Sequence, residues 1–209
     1  MNAHATLAKK SVTILLPAGR LPLNLLRVVN DLVGRLDLTL YLTTLQNLRV
    51  MGIPADKLDE VKAALARGGA TVKGPGLFPL PRICVGSADC KLGLVDTVAL
   101  SRRIMERFGN RTNVKPKFKI ALAGCPASCS GALLTDIGVL ATRAGYDIYA
   151  GGKGGAQPRV GRRIVRQADE KRVLEVIAQL ADFHAAKTGT KQRMGKLLDD
   201  PDFPFAAVV

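Results

Sequence analysis

The spacing of apolar residues changes repeatedly over the first 75 residues, and each change predicts an element. "SVTILLP" reads as a strand. Residues 22–33 then place Leu25, Leu26, Val29, Leu32 and Val33 on one helical face. Pro22 opens that helix where its missing N–H costs nothing, and Gly34 is the expected stop. "DLTLYLTT" alternates with period two, and "QNLRVMGIP" supplies a further strand behind it. "ADKLDEVKAALARGG" predicts a second helix from near Ala55 to Gly68-Gly69, followed by the short strand "ATV". The order βαββαβ is ferredoxin-like.

"KGPGLFPLP" is dense in glycine and proline and reads as a linker, dividing the chain into residues 1–76 and 77–209. Beyond it, residues 92–108 are expected to be helical, with Val95, Val98, Met105 and Phe108 as apolar positions and Gly109-Asn110 as the stop. "KFKIALAG" predicts a strand running straight into Cys125, with Lys117 and Lys119 alternating onto one face. "DIGVLA" and "YDIYAGG" pair as a hairpin. Residues 169–186 form a helix with Asp169 and Glu170 at the positive end of its dipole. The expected class is α+β: a ferredoxin-like half-domain followed by an α/β domain.

Charge and cysteine content narrow the chemistry. A hydrophobic share of 47% and a charged share of 23% describe a folding chain. No run reaches the roughly 18 apolar residues of a membrane span, and the opening residues lack a signal-peptide pattern. The expected location is the cytoplasm, where four cysteines point to metal or redox chemistry before disulfides. The net charge of +14 is clustered. Arg102, Arg103, Arg107, Arg111, Lys115, Lys117 and Lys119 face a single acid, Glu106, and Lys153, Arg159, Arg162, Arg163 and Arg166 face none over residues 153–166. Such clusters imply a polyanionic partner.

The cysteines form C-x5-C (Cys84, Cys90) and C-x3-C (Cys125, Cys129). Four thiolates suit an iron–sulfur cluster or a structural zinc. The five-residue spacing counts against zinc, whose ribbons set their ligands in tighter knuckles. Ala123, Gly124, Ala127 and Ser128 are small enough for backbone amides to approach cluster sulfurs. His4 and His184 lie far from this motif; His184 reads as a packed or surface side chain, His4 as part of a frayed terminus.

These residues carry a resemblance. "ICVGSADCKLG" with "GCPASC" resembles the cysteine signature of the sirohaem-dependent sulfite and nitrite reductases. "LYLTTLQNLRVMGIP" is similar to the "TTRQ" segment of that family's ferredoxin-like half-domain, with Leu45 where the family usually has arginine. "YDIYAGGKGGAQPRVGRRI" resembles its Gly-rich, basic sirohaem-binding stretch, and "KQRMGKLL" its C-terminal helix. The strand "SVTILLP" lacks the arginine often found there, and the two-domain unit occurs once, where larger members carry two copies.

The resemblance implies a 4Fe–4S cluster on Cys84, Cys90, Cys125 and Cys129, with the Cys129 thiolate also bridging to the sirohaem iron. It implies sirohaem contacts from Gln46, Asn47, Gly151, Gly152, Lys153, Arg159, Arg162 and Arg163, the basic groups neutralising the macrocycle's carboxylates. Lys117, Lys119 and Arg82 are implied in anion binding and proton delivery. The implied reaction is six-electron reduction of sulfite to sulfide, or of nitrite to ammonia, fed by a separate donor such as a ferredoxin, since no flavin or nicotinamide motif is present. A homodimer would recreate the two-copy arrangement. An iron–sulfur carrier without sirohaem and a basic RNA-binding module are the competing classes. The second is opposed by an aromatic share of 4%, too low for a sheet that stacks bases, so no nucleic-acid or membrane partner is expected.

Overall fold

The computed structural model describes residues 9–112, 114–187, 189 and 192–208; His4 and Lys191 lie outside these. The chain divides into two compact units, with the boundary between Gly74 and Pro75.

In the first unit the strands β1 (Lys10–Leu15), β2 (Thr39–Leu42), β3 (Leu48–Ile53) and β4 (Thr71–Val72) form an antiparallel sheet in the order β2-β3-β1-β4. Helices α1 (Leu23–Leu36) and α2 (Leu58–Arg67) pack on it, burying Leu25, Val29, Leu32, Val61 and Leu65 against Val12, Ile14, Leu48 and Val50. This is the ferredoxin-like order the pattern predicts. Two boundaries differ. Pro22 caps α1 from outside rather than opening its first turn. The helix also runs through Gly34, because a mid-helix glycine weakens a helix by only about 1 kcal/mol. It ends where Asp37 turns left-handed at φ 50° and returns its N–H to Val33.

The second unit is a five-stranded mixed sheet, β5 (Arg82–Ile83), β6 (Ile120–Ala123), β7 (Ile137–Thr142), β8 (Gly145–Ala150) and β9 (Arg162–Ala168), in sequential order. The pairs β5–β6 and β6–β7 are parallel; β7–β8 and β8–β9 are antiparallel, the first of these being the expected hairpin. Helix α3 (Thr97–Phe108) makes the crossover from β5 to β6, and α4 (Glu170–Lys187) follows β9.

Three expectations are corrected here. Helix α3 starts at Thr97, not at residue 92, because the Asp96 carboxylate accepts from both Val98 and Ala99 N–H at 2.9 Å and fixes the start. Its buried face is Leu100, Ile104 and Phe108, while Val95, Val98 and Met105 are only half-buried. β6 spans only "IALA", buried along its whole length as a central parallel strand must be. Lys117 therefore sits before it in a turn at φ 74°, Lys119 one residue before its start, and neither alternates on a strand. The arginines of the basic stretch lie on a strand, β9, that the hydrophobic pattern hid, and the expected C-terminal helix is a single 3-10 turn, Met194–Lys196.

Candidate metal centre

The cysteine loops leave the carboxyl ends of the parallel strands β5 and β6. Cys84 follows β5 directly: its N–H donates to Leu122 O at 3.3 Å, and the Thr97 hydroxyl donates to its carbonyl at 2.6 Å. The segment between Cys84 and α3 folds back on itself. Cys90 N–H reaches Gly86 O at 3.1 Å, Ser87 N–H reaches Val95 O at 2.9 Å, and Leu94 N–H reaches Gly124 O at 2.8 Å. The last bond ties the Cys90 loop to the residue before Cys125.

Glycines make this approach possible. A Cβ on Gly93 would lie 2.4 Å from the Gly86 carbonyl carbon, and one on Gly124 would lie 2.9 Å from Gly86 Cα. The Gly124 N–H donates to Cys84 Sγ at 3.1 Å, the kind of amide–sulfur contact that stabilises a thiolate. Cys125 and Cys129 occupy a chain of tight turns, with Ser128 N–H on Cys125 O at 3.2 Å and Gly131 N–H on Ser128 O at 2.7 Å. Ser128 at φ 53° and Gly131 at φ 67° are both left-handed and leave Cys129 exposed between them. All four cysteines are free thiols, the other three half-buried.

Among the described residues no three Cys, His, Asp or Glu side chains are grouped to hold one metal ion. A tetrahedral zinc–thiolate site, with Zn–S of about 2.3 Å, needs sulfurs roughly 3.8 Å apart. A four-iron cube spreads its ligands more widely, one cysteine to each iron. Four thiols on glycine-lined loops, one of them already accepting an amide N–H, fit the cube by donor chemistry.

Beneath the Cys129 loop lies Arg82. Its Nη2 donates to Thr135 Oγ1 at 3.3 Å and Gly131 O at 3.4 Å, and its Nε is buried without a partner. Burial lowers the Arg82 pKa from its usual value. Ser130 Oγ and Asp136 Oδ2 are likewise buried without partners among the described residues.

The residue matches to this family pattern scatter otherwise. Lys117 and Lys119 stand at the opposite end of β6 from Cys125, roughly 15–20 Å away at about 3.3 Å per residue. Lys153 and Arg159 pinch an exposed loop, exchanging both backbone bonds at 2.7–2.8 Å. Gly154 and Gly155 in it face open space, but Gly151 and Gly152 do not: a Cβ on either would meet Leu198 or Leu133 O at 2.6 or 2.4 Å. Arg162 pairs with Asp199 at 2.6 Å, and Arg163 with Asp147 at 3.3 Å. In the first unit Asn47 is buried with Oδ1 accepting Leu16 N–H at 3.0 Å, and Gln46, at φ 60°, lies under Gly19.

Sequence reasoning missed Asp136, Arg193 and Met194. Asp136 is fully buried; Oδ1 accepts from Arg193 Nε at 2.7 Å and Met194 N–H at 3.0 Å, and its carbonyl holds Gly151 N–H at 2.8 Å. Burial raises its pKa against the opposing pull of the Arg193 charge. The signal was an acid at the head of the apolar run "DIGVLA". His184 is a packed histidine, its ring tilted against Phe118 with centroids 4.8 Å apart and its Nε2 2.9 Å from Gln192 O.

Residues 81–203, more than half of the chain, match the family model described as the nitrite and sulphite reductase 4Fe-4S domain, and residues 6–68 match its ferredoxin-like half domain. The chain belongs to the nitrite and sulfite reductase family. It is 26% identical over 90% of its length to an NAD(P)H nitrite reductase of Emericella nidulans, of which it covers 17%. It is 27% identical to an assimilatory-type sulfite reductase of Nitratidesulfovibrio vulgaris over 56% of this chain and 53% of that protein. Its fold is similar to that of dissimilatory sulfite reductase I, with a TM-score of 0.75 at 14% identity over 91% of this chain and 66% of that one. The NirA protein of Mycobacterium tuberculosis gives 0.70 at 20% identity, over 90% and 37%. This family member spans about a fifth of the length of the first nitrite reductases it matches. Among its described residues no helix is long and apolar enough to cross a membrane.

Proposed function

We propose that this chain reduces sulfite to sulfide in a six-electron reaction, at a sirohaem coupled to a 4Fe–4S cluster held by Cys84, Cys90, Cys125 and Cys129. The observation that supports this is that all four free thiols lie on the loops leaving the carboxyl ends of β5 and β6, with the half-buried Arg82 guanidinium bonded to Gly131 O of the Cys129 loop. When bound, the cluster and sirohaem supply electron storage and an open iron position for the anion. The chain supplies the rest. The Gly124 N–H stabilises thiolate charge at Cys84 Sγ. Arg82 places fixed positive charge beside the Cys129 loop, where an oxyanion and the oxygen leaving it are favoured. Each S–O cleavage needs a proton on that oxygen, and cationic side chains resupplied from solvent are suited to provide it. Lys117 and Lys119, at the far end of β6, draw the anion toward this unit rather than touch it at the thiols. Lys153 and Arg159, which have no ion-pair partner among the described residues, are the cations best placed to accept macrocycle carboxylates.

Nitrite reduction to ammonia with the same cofactors is the second reading. It is favoured by the coverage of 80–91% of this chain in relatives named nitrite reductases. The match over 116 residues to an assimilatory-type sulfite reductase supports the first reading. Electrons come from a separate acidic donor such as a ferredoxin, attracted to the exposed Arg102 and Arg107 of α3. We assign the protein to the cytoplasm and to a homodimer. The test is reconstitution with iron, sulfide and sirohaem, then assay with reduced viologen against each anion. Sulfide release with little nitrite turnover supports the first reading, and the reverse supports the second. A cluster that forms without retaining sirohaem returns the chain to the carrier class, and a colourless protein carrying nucleic acid to the RNA-binding class.

A further inference from the structure

Thr97, the first residue of α3, is buried where the two cysteine loops meet. A buried hydroxyl must find a partner, and the way this one is placed decides which. The Asp96 carboxylate fixes the start of the helix on Val98 and Ala99 N–H, and with it the position of Thr97. The hydroxyl donates to Cys84 O at 2.6 Å. A Cβ on Gly86 would come within 2.8 Å of that hydroxyl oxygen and 3.0 Å of Thr97 N, so the first cysteine loop lies directly against this residue. From the second loop, a Cβ on Gly124 would meet the Thr97 methyl, Cγ2, at 3.2 Å. One side chain thus holds the Cys84 peptide with its polar atom and packs on the residue before Cys125 with its apolar one.

Cys84 and Gly124 are the two residues that make the amide–sulfur bond, N–H to Sγ at 3.1 Å. Sulfur is a weak acceptor, so this bond depends on the two backbones being held in place by other contacts. The Cys84 peptide is tied to β6 by its own N–H on Leu122 O at 3.3 Å, a long bond. The shorter Thr97 contact on its carbonyl is what keeps that peptide from turning. We propose that Thr97 is a positioning residue of the thiolate centre, its hydroxyl holding the Cys84 peptide so that the Gly124 N–H stays aimed at Cys84 Sγ. This rests on the four-iron reading above and adds to it which residue sets the charge on one ligand sulfur. Donors to a ligand sulfur favour the more negative, reduced cluster, so a lost aim lowers the reduction potential. Thr97 acts through Cys84 and Gly124, as an outer partner that orients a metal ligand.

Two variants separate the hydroxyl from the shape. Thr97→Val keeps the branched side chain and removes the donor, and Thr97→Ser keeps the donor and removes the methyl. In the full chain reconstituted with iron and sulfide alone, Thr97→Val is expected to lower the cluster's reduction potential. It should also release iron to a chelator about tenfold faster, the scale of losing an outer partner of a metal ligand. Thr97→Ser should recover most of both. Amide hydrogen exchange at Gly124 in the cofactor-free chain gives a second reading, faster in Thr97→Val and close to the parent in Thr97→Ser, whether or not the valine variant retains a cluster. Parent-like potential, release and exchange in Thr97→Val would overturn the proposal, as would a serine variant that falls as far as the valine one. A parent chain that assembles no four-iron cluster overturns the cluster reading, and the Gly124 exchange then decides the Thr97 assignment by itself.

Discussion

Two parts of the second unit hold reactive-looking side chains, and the fold treats them in opposite ways. At the carboxyl ends of β5 and β6, four thiols are left free by loops whose glycines allow backbone to touch backbone. Around Asp136, a buried acid, an arginine and two glycines are nearly all consumed in holding Gly151, Gly152 and Met194 in place. A charged or glycine-rich motif therefore has to be sorted by who its partners are. Groups whose partners lie within the chain stabilise it, and groups presented without partners are the ones available to a ligand.

The strongest way to break that contrast is at the thiols. Cys129→Ser is expected to abolish stable cluster and sirohaem retention, since an alcohol is a poor ligand for soft iron. The melting temperature of the cofactor-free protein should hardly move, because Cys129 is exposed and its thiol has no partner among the described residues. Gly93→Ala is expected to lose the cluster as well, by forcing apart the Cys90 loop at a 2.4 Å contact with Gly86. Iron and sulfide analysis beside a thermal melt checks both; retention of a full cluster in Cys129→Ser would return that thiol to the surface.

The converse break is Asp136→Ala, which leaves Arg193 without its carboxylate in a largely buried position. A cost of about 3 kcal/mol is expected for the fold, read by denaturant unfolding, with thiol reactivity unchanged. The pH dependence carries its own signature. Burial raises the Asp136 carboxyl above its ordinary value near 3.8, so its contribution is fully present below that value and is lost as pH rises through the folded one. Asp136→Asn removes this ionisation while keeping an acceptor for Arg193 and Met194. Its stability should therefore fall less steeply than the parent's as pH rises above about 4.

How much of this was open to the sequence follows the same division. The cysteine pattern, the βαββαβ order and the β7–β8 hairpin were legible because each is a local signal: ligand spacing, apolar period, turn residues. The start of α3 was not, since Leu92, Leu94 and Val95 look helical but belong to a loop pinned to Gly124 across the sheet. β9 was hidden by its arginines, whose charges are met by Asp147 and Asp199 from distant segments. Asp136 could be noticed as an acid in an apolar run, but its partner stands 57 residues away. Long-range pairing, unlike period, leaves no local trace.

Arg82 sharpens the comparison because it belongs to both classes, with Nη2 bonded to the Cys129 loop and Nε buried alone. Arg82→Gln is expected to lower kcat/KM for the anion by about 10²-fold, as loss of a donor at an oxyanion site does. Arg82→Lys should recover part of that by keeping charge without the fork. Steady-state kinetics on cofactor-matched samples decides it, and equal kcat/KM in the parent and Arg82→Gln would leave the arginine as a prop for Thr135.

The smallest effect is expected where sequence matching alone promised a large one. Lys117 and Lys119 share the family's K-x-K spacing, but β6 begins after both, and its four buried residues carry the chain away from them toward Cys125. A lysine side chain cannot bridge a separation on the order of 15–20 Å. What remains to these charges within their own unit is long-range attraction, which raises the arrival rate of a small anion and is screened over about 8 Å at physiological salt. The double variant Lys117→Ala, Lys119→Ala should therefore lose less than tenfold in kcat/KM at low ionic strength, with kcat held, and the loss should vanish as salt is added. A salt-independent fall of 10²-fold in kcat would mean instead that the lysines touch a reacting oxygen. Since β6 carries the chain from these lysines to Cys125, such a result would point to the lysines of a second copy as the donors and to the homodimer as part of the catalytic site.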